Sequence, residues 1–196
     1  VVWLESRGLR GAAALVSDLG AVKDAGNLPP SIAGNRVDLA GGPILFWGST
    51  LIETAMLADG AAITLAGCRT PRVLLPEAVV QAVHGWSFRL EAGGCEALVA
   101  AGEATLDRSF AKLDAADVRL IAAQDPVPAA ALAPAPPHSR LGPPELESRH
   151  AASLARGLRL GLNDWRAIRE AANRILVPAT ERSRSRGAGA EVDDNL

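Results

Sequence analysis

The chain has 196 residues, 48% of them hydrophobic and 21% charged, with a formal charge of −2 at neutral pH. This is the composition of a folded domain with enough chain for one real core. It argues against a dedicated nucleic-acid binder, whose affinity rests on excess Lys and Arg, and no apolar run reaches the roughly 20 residues that a bilayer span needs.

In chain order, Trp3 and Leu4 close a first helix before Gly8, and Leu9 to Leu19 carries a second, with Ala12, Leu15, Val16 and Leu19 on one side. The chain opens at Val1 without Met, as though inside a helix, so an N-terminally truncated domain is expected. Residues 20–43 carry Gly, Pro and Asn throughout and read as a long loop, with room for a strand at Arg36–Leu39. Thr50 and Glu53 have the spacing of a capping box, which predicts a helix with Leu51, Ile52, Ala55 and Met56 on its apolar face and a stop at Asp59-Gly60. Ala62–Ala66 and Arg72–Leu75 are strand candidates. Pro76 then opens a helix that exits at Gly85, with Val79, Val80 and Val83 facing one way.

The clearest strand follows. Trp86, Phe88 and Leu90 alternate with Ser87, Arg89 and Glu91, and Gly93-Gly94 makes a two-residue hairpin turn into a return strand from Cys95. Ala104–Leu106 and Asp117–Ala123 extend this antiparallel meander. Residues 125–142 are a Pro/Ala-rich linker. Two helices come after it, Glu145–Arg156 and Asp164–Leu176, the second capped by Asn163 and lined by Trp165, Ile168, Ala172 and Ile175. Residues 187–196 read as a flexible tail. The expected fold is therefore a single α+β domain over 1–196, an antiparallel sheet of hairpins from the middle of the chain packed against helices from the N- and C-terminal parts.

Chemistry-bearing residues are sparse. Cys68 and Cys95 are too few for a disulfide framework and lack a C-x-x-C arrangement, which points to buried inert thiols in a reducing cytoplasm. His150 sits on an apolar helix face as a packing residue, His84 falls in a last helical turn, and no histidine shares metal-ligand spacing with Cys or carboxylates. Ser49 lacks the G-x-S-x-G frame of a nucleophile elbow, and the Gly-Gly pairs at 41–42 and 93–94 lack a phosphate-loop pattern. The closing segment VPATERSRSRGAGA is the most distinctive. Thr180 can cap a short helix with Glu181 at its positive end, Arg182, Arg184 and Arg186 toward its negative end and Gly187 at the exit. Such a helix is too short to stand alone and has to dock.

Residues 3–15, WLESRGLRGAAAL, and 164–195, DWRAIREAANRILVPATERSRSRGAGAEVDDN, resemble the two ends of a bacterial family catalogued as domain of unknown function 3726. The chain departs from that pattern at Arg182, Ser185 and Arg186, where the family carries small or apolar residues. The resemblance implies a helical segment upstream of Trp3 and brings no activity, cofactor or catalytic residue.

Two functional readings follow. The first is a soluble, non-catalytic binding or accessory/assembly protein in metabolism, with a protein partner, a second copy of itself or a small molecule as ligand. The second is a small-molecule enzyme with a composite site including Thr180, Glu181, Ser183 and Arg184, covered by the 20–43 loop. There Arg184 grips a carboxylate or phosphate bidentately and Glu181 serves as base. Nucleic-acid contact through the arginines of the C-terminal segment ranks third. No cofactor, metal or membrane is expected.

Overall fold

The computed structural model describes residues 1–25, 29–124 and 139–175. Eight strands, β1 (Ser31–Ala33), β2 (Arg36–Asp38), β3 (Ile63–Cys68), β4 (Ser87–Ala92), β5 (Cys95–Ala100), β6 (Glu103–Asp107), β7 (Ala116–Ala123) and β8 (Arg140–Leu141), form one sheet in the order β1-β2-β3-β7-β4-β5-β6-β8. The helices are α1 (Val2–Ser6), α2 (Gly11–Ala25), α3 (Ile44–Leu57), α4 (Leu75–Val83), α5 (Pro143–Arg156) and α6 (Leu162–Ile175). The architecture is α+β, with helices from both ends of the chain around a mostly antiparallel sheet.

Period-two alternation builds the centre. Leu90 of β4 lies opposite Leu120 of β7, and Phe88 opposite both Ala122 and Val99, all fully buried. The other face carries charge. Glu91 stands directly opposite Glu96, a repulsive pair, but Arg89 bonds Glu96 at 2.7 Å and Arg119 bonds Glu91 at 2.8 Å. Gly93 and Gly94 turn the β4–β5 hairpin at φ 54° and 74°, a conformation L side chains rarely adopt. Among the described residues the one parallel pair is β2–β3, and α3 is the crossover that a parallel pair requires.

Several local expectations give way to tertiary packing. α2 does not stop at Gly20 but runs to Ala25, because Ala21 is fully buried and burial outweighs the roughly 1 kcal/mol a helical glycine costs. Residues 31–38 then form the β1–β2 hairpin, so no long loop spans 20–43. α3 starts at Ile44, behind Pro43, and the Thr50/Glu53 spacing falls inside the helix, where Thr50 offers its carbonyl to the Thr54 hydroxyl at 2.7 Å. Arg72–Leu75 is a 3-10 turn running into α4 rather than a strand, since Pro71 starts a helical turn there. α4 buries Leu75, Ala78 and Ala82 and leaves Val80 and Val83 exposed. The end of the expected linker is ordered as β8, which pairs Leu141 with Leu106 and ties Arg140 to Asp107. α6 begins at Leu162, so Asn163 lies within it, and Trp165 is half exposed.

Helices from the two ends of the described chain meet on the body. α5 is anchored by buried Leu146 and by Glu145, held between Arg108 and Arg149. Those two guanidiniums, Arg108 first, keep the Glu145 carboxyl below the usual carboxylate range. α6 packs on α2, and α5 on α1 and β6.

Gly11 marks the tightest corner. A Cβ there would lie 2.8 Å from the Glu5 amide nitrogen and would strike the Val1 carbonyl, so α1 would have to move. Gly11→Ala is expected to cost about 2 kcal/mol, in the overpacking range. Gly20→Ala meets nothing within 4 Å and should stabilise by roughly 0.5–1 kcal/mol. Urea melts of the two variants check the contrast, and equal stabilities would contradict it.

Candidate functional site

Three buried polar side chains gather where α2, α3 and the end of β3 meet. Asp18 on α2, Thr70 and Arg72 are each at most 1% exposed. Asp18 Oδ2 accepts the Leu45 N–H at 2.7 Å and Oδ1 accepts the Thr70 hydroxyl at 3.4 Å. Burial pushes the Asp18 carboxyl up, and these hydrogen bonds and the Arg69 charge only partly oppose it. In open α/β sheets a helix N-terminus beside the carboxyl ends of parallel strands is where anions bind. Here the corresponding place, the start of α3, is filled by the chain's own carboxylate. Arg72 Nη1 donates to the Leu113 carbonyl at 2.7 Å and to Asp114 Oδ1 at 3.3 Å, while its buried Nε and Nη2 have no partner among the described residues. Cys68 lies beside this cluster, and burial pushes its thiol far up, with Asp18 and Asp117 adding to the shift. A neutral buried thiol is no nucleophile at physiological pH. The cluster is a clamp that fixes α3 against α2 and β3.

The more open feature is a cleft of 560 Å³ bounded by α1, α4, the β5–β6 turn and the start of α5. Trp3, Val79, Pro143 and Pro144 give it apolar walls, and Arg7, Glu103 and Glu147 supply charge. The Arg7 guanidinium sits 4.5 Å from the centre of the Trp3 ring and 3.5 Å from Glu147. Cation–π contact and ion pairing thus hold one side chain in place. Glu103 is exposed at the start of β6, and its side chain makes no hydrogen bond or ion pair among the described residues. The α5 N-terminus offers the cleft little. Pro143 and Pro144 have no N–H, and the Glu145 and Leu146 amides both bond the Gly142 carbonyl at 3.1 Å. The cleft therefore presents an indole, aliphatic walls and carboxylate acceptors. Its size is that of small-ligand pockets.

Thr180, Glu181, Ser183 and Arg184 lie outside the described residues, as do the tail 187–196 and the linker stretch 125–138. The 20–43 segment, expected as a cover for that site, is instead the end of α2 and the β1–β2 hairpin. Among the described residues no group of three His, Cys, Asp or Glu could hold a metal, and no helix is long and apolar enough to cross a membrane. His84 caps the end of α4, and the buried Nδ1 of His150 has no partner among the described residues; neither ring lines the cleft. Cys95 is half-buried, with its Sγ 3.0 Å from the Ser109 hydroxyl. The cleft residues passed unnoticed in the sequence, although Trp3 on α1 and Arg7 at its C-terminal cap stand four apart, the spacing that brings side chains together. Glu103 carried no such signal. Comparison with family models, curated proteins and solved structures finds no match to this chain.

Proposed function

We propose that the chain is a soluble, cytoplasmic binding or accessory protein of bacterial type, and that its ligand enters the cleft between α1, α4 and α5. The observation that carries the reading is the pairing of Trp3 and Arg7 in one wall with the unpaired Glu103 carboxylate in another. An apolar body bearing an amine or another hydrogen-bond donor fits this chemistry: the body covers the aliphatic walls and the donor meets Glu103. The cleft supports binding rather than turnover, because it brings no nucleophile to a base. The proposal extends to kinship with domain of unknown function 3726, since residues 3–15, which carry that resemblance, supply Trp3 and Arg7.

A thermal-shift panel of small metabolites rich in aliphatic and aromatic amines tests this. A compound at 100 times its Kd should add about 2.7 kcal/mol, a rise in Tm of roughly 5–10 °C for a domain this size. Glu103→Gln removes only an exposed, unpaired charge, so it should leave the ligand-free Tm in place and reduce that rise by at least half. A panel with no stabilising compound, or stabilisation unchanged in Glu103→Gln, would sink the assignment.

A further inference from the structure

α1 has a second cleft on its other side, of 360 Å³, and its chemistry is the opposite of the first. Glu5, Ser6 and Gly8 form one wall, and Arg149, Arg156 and Arg159 the other. Arg149 is committed, with Nη2 on Glu145 at 2.8 Å and Nη1 on the Arg7 carbonyl at 3.4 Å. The Glu5 carboxylate is also committed, accepting the Ala12 N–H at 2.8 Å. Arg156 and Arg159 are exposed, and their side chains make no hydrogen bond or ion pair among the described residues.

Arg156 has an ordinary role, since it ends α5, where a cation suits the negative end of the helix dipole. That role does not extend to Arg159, which lies past the helix end. Gly157, at φ 78°, breaks the helix and turns the chain so that both arginines line one concavity. Two like charges in one concave wall repel each other and focus a positive potential into it. An anion placed between them relieves the repulsion and takes up donors that are otherwise unused. Leu158, between them in sequence and in the same lining, supplies an apolar contact beside the anion.

We propose that this cleft binds a phosphate monoester group, gripped by Arg156 and Arg159. The inference is independent of the cleft on the other side of α1. The phosphate can belong to a soluble ester or to the headgroup of a lipid, and two experimental arms separate these sources.

In the first arm the full chain is titrated calorimetrically with phenyl phosphate at low salt. In the second it is sedimented with vesicles of phosphatidylcholine containing phosphatidic acid. Each arm uses wild type, Arg156→Gln, Arg159→Gln and, as a control for charge loss elsewhere, Arg36→Gln, an exposed residue of β2. Binding of phenyl phosphate that falls at least tenfold in both cleft variants and less than twofold in Arg36→Gln supports the site with a soluble ligand. Sedimentation with the acidic vesicles that both cleft variants lose and Arg36→Gln keeps supports it with a lipid headgroup. No binding in either arm overturns the proposal, as does binding that the cleft variants retain or that Arg36→Gln loses equally. Thermal melts of the ligand-free variants should coincide with wild type, so that lost binding is not lost folding.

Discussion

Asp18→Ala is expected to lower unfolding stability by about 2–3 kcal/mol at neutral pH, from a loss of helix capping and a buried amide left without a partner. Leu45 loses the acceptor of its 2.7 Å hydrogen bond and Thr70 loses its side-chain partner, both in a dry environment. Asp18→Asn keeps an acceptor in the same place and should cost much less. The pH dependence separates the two further. The folded state raises the Asp18 carboxyl above its ordinary value of 3.8, with burial the larger cause. Folding thus favours the protonated form, and this residue's contribution is greatest below its unfolded value. It declines as pH rises from that value through the folded one, the reverse of the usual salt-bridged carboxylate. Urea melts from about pH 4 to about pH 7 should show Asp18→Asn gaining on wild type as pH rises. A difference that is flat or shrinks with pH would contradict the burial of this carboxylate.

Arg72→Ala should cost about 3–5 kcal/mol, the range for removing a large buried side chain and one member of a buried polar contact. The side chain is fully buried, fills the space between the 3-10 turn and Leu113, and satisfies the Leu113 carbonyl. Arg72→Met should recover more than half of that loss. Methionine keeps most of the volume and removes two buried guanidinium nitrogens that have no partner among the described residues. Asp114, left behind, is 67% exposed and keeps its hydration. Chemical denaturation of both variants reads the difference. If methionine is as damaging as alanine, the guanidinium has partners that its geometry here does not give it.

These two residues also explain where sequence reasoning stops. The β4–β5 hairpin was legible because period-two alternation and Gly93-Gly94 are local signals. The start of α3 was not, because its cap is Asp18, 27 positions away from Leu45, while Thr50 and Glu53 offered a local pattern that the packing left unused. The stretch Arg72–Leu75 is short and apolar, and such runs do not distinguish strand from helix; Pro71 and the continuation into α4 decide for helix. α4 carried two competing faces, and the one with Leu75, Ala78 and Ala82 went inward because small alanines let the helix lie close to the sheet. The main cleft draws on α1, α4, a β-turn and α5, segments spread along the chain from Trp3 to Glu147, so only its Trp3–Arg7 pair had a local signature. The C-terminal residues Thr180, Glu181, Ser183 and Arg184 stood out because a capped, arginine-bearing motif is visible in one dimension, and a concave wall is not.

The central claim is that a ligand enters the cleft beside Trp3. The chain has four tryptophans, Trp3, Trp47, Trp86 and Trp165, whose indole N–H signals can be followed separately by nitrogen-15 NMR. Titration with a stabilising compound from the metabolite panel should move the Trp3 signal progressively and leave Trp47, whose indole N–H is buried, and Trp165, which does not line the cleft, in place. Movement of Trp165 with Trp3 unchanged would contradict the claim.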